Sequence, residues 1–396
     1  MRKIATLISA SLLVIACGLE ETRVGDHSNP DGIWTGPPQN QYGQVSYVTV
    51  VDYPDGYDWR SDPGGTEAAC SLAVFADGVP VLRVPVGESH QTSADPQRHR
   101  VIGGHLYTDW TDGTVTVIKK DGREMFRYEA PETVARMLVQ EGVVHTLNIP
   151  TGGGFVYRVD GKEVLRRDDA TLFGHLDICE GRVCFCFSRS VKEASGVVER
   201  YYSVCDGTVE MLELNGLVHD MRHYDDGLYA LVSKSEGLMP MLVRGSMEER
   251  PGIFLSGEVT NAEFLGRGCL CVSVRCILYP DSSLVTALWY GGDMWRRSPK
   301  GVTAVAACAS RNGMCMLCNP RGTEAGVICV DTETYEMPAG YSIRGYNPVA
   351  YGENGVVVGL SSDSGGSPAI WMNRNVNVLN INGYISGVSL SDDVSR

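Results

Sequence analysis

Between Val101 and Ala170 the apolar and polar positions run through one pattern almost twice. The chain reads VIGGHLYTDWTDGTVTVIKKDGREMFRYEAPE, then VARMLVQEGVVHTLNIPTGGGFVYRVDGKEVLRRDDA. Each copy has a short apolar run, a turn ending in Gly, a second run, a longer loop, a third run, an Asp-Gly turn and a fourth run. Period-two alternation broken by such turns predicts four short antiparallel strands per copy. A repeat of about forty residues carrying four strands predicts one blade of a β-propeller.

The turns let the copies be counted. The first-to-second-strand turn ends in Gly at Gly104, Gly142, Gly181, Gly227, Gly268, Gly313 and Gly355. The third-to-fourth turn recurs at Asp77-Gly78, Asp121-Gly122, Asp160-Gly161 and Asp206-Gly207, then as Gly245-Ser246, Gly291-Gly292, Asp331-Thr332 and Asn373-Arg374. Eight turns of one kind against seven of the other leave one unit incomplete. It is the first: Val45 to Val51, Ala69 to Ala76 and Pro80 to Val84 supply three strands with no inner strand before them. At the far end Tyr384 to Leu390 is one strand too many. If it fills the gap, the ring closes by joining the two ends of the chain and leaves no open sheet edge. The expectation is an all-β fold, an eight-bladed propeller over residues 45–396, with seven blades as the alternative if one degenerate unit is irregular.

Strand direction alternates, so the Gly and Asp-Gly turns share one face of the ring. The second-to-third and blade-to-blade connections share the other. The long segments Asp52 to Thr66, Gly87 to Gln97, Ser188 to Gly196 and Cys276 to Ser283 all belong to the second group, where binding residues on a rigid scaffold usually sit.

Residues 1–17 read as an address. Arg2 and Lys3 form a basic start, and Ile4 to Ile15 form an apolar stretch too short to span a bilayer. The stretch ends in Val14-Ile15-Ala16-Cys17, which resembles the lipobox of bacterial lipoproteins. The resemblance implies cleavage before Cys17, acylation of that residue, and anchoring at a membrane without spanning it. Residues 18–44, rich in Gly, Pro, Asn, Asp and Gln, read as a tether. Cleavage removes two of the 34 basic residues and leaves 32 against 48 acidic ones, a net charge near −16. A nucleic-acid backbone would be repelled by such a surface.

Twelve cysteines follow Cys17. Cys184 with Cys186, and Cys269 with Cys271, stand two apart in strand-like runs, and Cys315 and Cys318 lie in the run MCMLC. Residues two apart share a face and do not bridge one another. Free buried thiols are therefore favoured over a disulfide or a metal site.

Motif chemistry is sparse. There is no nucleophile elbow, no H-E-x-x-H and no phosphate-cradling glycine loop. The repeated Asp box of sialidase-like propellers and the Trp-docking repeats of quinone-dependent ones are also missing. Asp52, Asp55 and Asp58 offer a hard cation such as calcium three carboxylates around a Gly, although their spacing is that of an ordinary turn. Trp59 and Arg60 follow, a pairing suited to stacking on a sugar or anchoring a protein. The starts of inner strands carry His99 and Arg100, Glu132 and Arg136, His175, His219 with Asp220 and Arg222, Asn261 with Glu263, and Arg344 with Tyr346 and Asn347. These residues are expected to converge on the mouth of the central channel, with His219-Asp220 as a potential acid/base pair.

Taken together, lipobox, tether and repeat resemble an exported lipoprotein propeller of the Bacteroidetes type. In length, anchoring and blade count the chain is also similar to the propeller lipoprotein of the outer-membrane β-barrel assembly machinery, without that family's docking motif. The resemblance implies a lipoprotein at the outer membrane and names no ligand; the expectation is a non-catalytic, monomeric module that binds or scaffolds a glycan, a peptide or an envelope protein. Its ligand-binding residues would be Trp59, Arg60, His219, Arg222 and Arg344, with no resident cofactor. The alternative is a glycan-active hydrolase or lyase at the channel mouth.

Overall fold

A computed structural model describes residues 44–391, apart from short segments at 62–68, 195, 250–256, 266–269, 279–281, 291–292, 300, 311–312 and 321–324. The signal and tether expectations, including Cys17, lie outside the described residues, as do Cys269, Gly268 and Gly291-Gly292.

The strands form eight antiparallel sheets, one per blade, in chain order around a ring. Blade 2 shows the plan, with strands His99–Ile102, His105–Thr111, Thr116–Lys120 and Arg123–Tyr128 from inside to outside. Blade 1 is the composite one. Its outer three strands are Ser46–Tyr53, Ser71–Ala76 and Val79–Pro85, and its inner strand is Asn382–Leu390 from the far end of the chain. The two ends pair antiparallel from Ser46 opposite Leu390 to Tyr53 opposite Asn382. The expected closure is therefore the one the chain makes, and the ring has eight blades.

Blade-to-blade packing accounts for the apolar half of each pattern. Among the described residues, eight clusters of buried apolar side chains each span one pair of neighbouring blades. Between blades 3 and 4, for example, Leu138, Leu147 and Phe155 meet Leu176, Phe185 and Phe187. A strand buried on both faces cannot show clean alternation, which is why runs such as VCFCF read as continuous.

The recurrent Asp does more than permit a turn. In the Asp-Gly pairs both residues have positive φ, such as 45° and 78° at Asp160 and Gly161, the conformation a two-residue hairpin of this twist requires. The same carboxylate then reaches back to the second strand. Asp77, Asp121, Asp160 and Asp331 each accept a hydrogen bond from a backbone N–H there, those of Ser46, Leu106, Val144 and Met314, at 2.9–3.1 Å. Each Asp also donates its own N–H to the carbonyl of that same residue. The Asp thus ties the two turns of a blade's short-turn face together.

Two expected loops are in part strand. In blade 4, Arg182–Glu193 and Gly196–Cys205 stay paired out to Glu193 opposite Gly196, so most of the Ser188 to Gly196 segment is hairpin. Blade 6 likewise pairs Leu278 with Ser283. The β-branched residues Val191, Val197 and Val198 carry the strand pattern past the body of the ring.

The cysteine expectation needs one correction. Cys184 is bonded to Cys205, its direct partner across the central strands of blade 4, with Cα atoms 4.3 Å apart. Spacing along one strand excluded Cys184–Cys186, but the bridge runs across strands, where the register places the two residues side by side. Cys186, Cys271, Cys315 and Cys318 are free and buried, as expected.

Candidate functional site

Five of the inner strands share an irregularity near their middle. Pairing with the second strand slips at Ala135 in blade 3, at Gly174 and His175 in blade 4, at His219 in blade 5, at Thr260 in blade 6 and at Ser386 in blade 1. A bulge leaves a residue out of the ladder and turns its neighbours' side chains away from the sheet faces. In blade 8 the disruption is larger. The inner strand is split into Tyr341–Ser342 and Val349–Gly352, and the six residues 343–348 between them leave the sheet.

That insertion joins the closing strand of blade 1. Tyr346 donates its backbone N–H to Ser386 O at 3.1 Å, and Val388 donates to Asn347 O at 2.7 Å. At Gly345, with φ of 89°, any Cβ would come within 2.7 Å of the carbonyls of Ile385 and Ser386, so only glycine lets the two backbones approach this closely. A small cleft follows, lined by Tyr346 and Asn347 from blade 8, Thr49 and Ser386 from blade 1, and His99 and Arg100 from blade 2. Arg344 and Tyr346 stand exposed on the insertion.

The floor of this cleft is polar and already engaged. His99 Nε2 lies 2.7 Å from Ser386 Oγ, and the Ser386 hydroxyl donates to Thr49 O at 3.1 Å. One hydroxyl has one proton, so His99 Nε2 is the donor toward Ser386. Burial, with Arg100 adding to it, pushes His99 down to about 4 and keeps the imidazole neutral. Arg100 is buried, pairs with Asp109 at 2.9 Å and donates to Gln97 O. Arg98 holds the other oxygen of Asp109 at 3.0 Å. Burial pushes Asp109 up to about 6 against the pull of those two guanidiniums.

Across the ring, blades 4 to 6 present carboxylates and histidine. Asp220 accepts the backbone N–H groups of Met221 and Phe264 at 2.8 Å and meets His175 Nε2 at 3.0 Å, linking three inner strands. His219 turns the other way, to Ser233 Oγ at 2.7 Å. The expected His219-Asp220 pair is therefore not formed, because the bulge at His219 sends the two side chains to different partners. Glu263 lies on the inner strand of blade 6, Gly257–Leu265. Burial, then Asp220, pushes its carboxyl above the usual range, and His175 and Arg275 oppose this.

The five expected ligand-binding residues divide by location. Trp59, Arg60 and Arg344 come together at the seam of blades 8 and 1. Trp59 is 1% exposed and belongs to the core between blades 1 and 2. The Arg344 guanidinium lies 5.4 Å from its ring centre, a cation–π contact. Arg60 is exposed, chelates Asp58 and donates to Asp363 O of blade 8. His219 belongs to blade 5, on the opposite side of an eight-membered ring. Arg222, sixth in the inner strand Leu217–Tyr224, is buried toward the short-turn end, 3.3 Å from Asp177. Its place in the strand sets this: strand starts lie at the long-loop mouth, and a residue near the strand end does not.

Ser386 is the residue sequence reasoning passed over. Its signal is Ser386-Gly387 inside an apolar strand run, since glycine within a strand marks a bulge or a close approach. Of the three carboxylates weighed for calcium, Asp52 pairs with Arg83 at 2.6 Å and Asp58 with Arg60 at 2.7 Å. Among the described residues, the one group of three or more His, Cys, Asp or Glu donors gathered within 4.8 Å is Cys184, Cys205 and His223.

Fold and site together define a closed eight-bladed β-propeller with a polar inner ring. No protein-family model matches the sequence, and a search of curated proteins finds no match. Among solved structures the chain is similar to Pyrococcus horikoshii acylaminoacyl peptidase, with 11% identity over 83% of this chain and 57% of that one and a TM-score of 0.47. It thus spans less than two thirds of the peptidase's length. It is also similar to dihydro-heme d1 dehydrogenase NirN in complex with DHE, with 12% identity, 87% and 75% coverage and a TM-score of 0.50. A third likeness is to the β-propeller domain of the trilobed protease from Pyrococcus furiosus, with 11% identity, 76% and 97% coverage and a TM-score of 0.44. At such identities the likeness shows the fold alone.

Proposed function

We propose that the protein is a non-catalytic binding or scaffolding propeller of the cell envelope. It would be anchored by a lipid on Cys17 and would engage a glycan, a peptide or a partner protein at the inner rim of blades 8, 1 and 2. The observation that carries this reading is the insertion at 343–348. Besides bonding to the closing strand, it sets an exposed aromatic, Tyr346, and an exposed guanidinium, Arg344, beside a cleft on the long-loop face. Tyr and Arg are, with Trp, the side chains that most often carry binding energy once a partner covers them.

Trp59 supports Arg344 from below. Deleting a buried Trp side chain costs about 3–5 kcal/mol of stability, so Trp59→Ala does not report cleanly on binding. Tyr346→Ala and Arg344→Ala do, because both side chains are exposed. Each should weaken, by about fivefold or more, whichever ligand a panel of glycans and envelope proteins identifies for the soluble body, with the melting temperature unchanged. Binding left intact by both substitutions would reject the site. Turnover of a glycan in the same screen, abolished by Glu263→Gln, would replace this reading with the hydrolase or lyase alternative.

A further inference from the structure

A second cleft on the molecule has no part in the channel. It lies on the outer wall, where Leu82, Arg83, Val84 and Pro85 of the outer strand of blade 1 face Lys119, Asp121, Gly122 and Arg123 of blade 2. His90 and Thr92, from the connection between the two blades, close one end, and the volume is about 480 Å³. Its charge runs against that of the chain. Arg83, Lys119 and Arg123 face a single carboxylate, a local balance of +2 in a protein whose formal charge is −14.

That carboxylate is already engaged, since Asp121 accepts from Leu106 N and pairs with His105 Nδ1 at 2.7 Å. Arg83 is held by Asp52. Lys119 donates to the carbonyl of His90, a neutral partner, and burial lowers its affinity for the proton against the pull of Glu124. Arg123 is exposed and makes no ion pair among the described residues. The cleft therefore holds two cations with no carboxylate bonded to them over a floor of Leu82, Val84 and Pro85. An arriving anion would gain from both, and the partly desolvated ammonium would gain most from a charged partner.

We propose that this cleft is a second ligand site, separate from the channel mouth, and that it takes an anionic saccharide. A sugar ring offers an apolar face for the floor, and its carboxylate or sulfate groups would meet Lys119 and Arg123. The volume suits one or two sugar units, within the range of small-molecule sites. Phosphate shares the anionic chemistry without the ring, and serves to separate charge from sugar recognition.

Titration calorimetry of the soluble body with trigalacturonate, maltotriose and inorganic phosphate tests this. Trigalacturonate should bind, should outcompete phosphate, and should weaken by about tenfold or more between about 50 and about 300 mM salt as screening rises. Maltotriose should not bind. Lys119→Ala and Arg123→Ala should each weaken trigalacturonate by about fivefold or more, and Arg200→Ala, on blade 4 and outside the cleft, should not. Arg123 is exposed, so its variant keeps the test valid should Lys119→Ala disturb the fold. Phosphate binding as tightly as the saccharide would overturn the assignment to a sugar. Affinity indifferent to Lys119 and Arg123, or lost in Tyr346→Ala, would overturn the cleft as the place of binding and leave the channel-mouth reading to stand or fall separately.

Discussion

His99 and His223 are neutral imidazoles locked between strands, and burial pushes each down to about 4. His223 meets Ser203 Oγ at 2.9 Å and donates its backbone N–H to Asp177. In the unfolded chain both titrate near about 6.5. The folded pKa is the lower one, so the stability these groups contribute is complete above about 6.5 and is lost as pH falls toward about 4. Each group costs up to about 1.4 kcal/mol per pH unit within that window. Urea midpoints measured from pH 7.5 to 4.5 should fall, and His99→Gln should flatten the fall; a profile identical to wild type would remove His99 from this role. The repeated turn Asp offers a second test at this scale. Asp160→Ala strands Val144 N–H without its 3.0 Å partner and should cost about 1 kcal/mol. Asp160→Asn keeps an acceptor and tolerates positive φ, so its denaturation midpoint should lie between the two; equal losses for both would mean the clip contributes nothing.

At the scale of elements, what the sequence revealed tracks how locally each feature is written. Asp160-Gly161 and its kin announce hairpins because positive φ at both positions selects those residues, so the blades were countable. The closing strand was legible too, through a missing partner at one end and a surplus run at the other. The Cys184–Cys205 bridge was hidden, because it depends on register between strands whose cysteines lie 21 residues apart. The same limit applies to the site. Arg344, Tyr346 and Asn347 could be picked out as polar residues near an inner strand. Their departure from the sheet depends on Gly345 meeting the closing strand, a contact between residues some forty positions apart in sequence. His219 and Arg222 were grouped by proximity in sequence, although a bulge turns one toward Ser233 and strand direction carries the other to the far end.

For the whole molecule, closure is the weak point as well as the solution. Tyr384 belongs to the cluster between blades 1 and 2, while Ile385, Val388 and Leu390 belong to the one between blades 8 and 1. Removing residues 384–396 should therefore disrupt two of the eight interfaces and bare the edges of neighbouring sheets. The truncated protein should aggregate or melt well below the full chain in gel filtration and thermal scans; a soluble monomer with an unchanged melting temperature would contradict this account of closure. The way the chain enters the ring also sets a direction. Gln44 is fixed at the short-turn end, where its side chain accepts from Glu353 N and its carbonyl from Asn354 Nδ2 in the turn of blade 8. A lipid on Cys17 would be joined to that face by 27 residues, a leash of at most roughly 90 Å at full extension. Such a lipid would pull on the tight-turn face, and the rim that carries Arg344 and Tyr346 lies on the other, so the tether need not cross the binding face to reach its anchor.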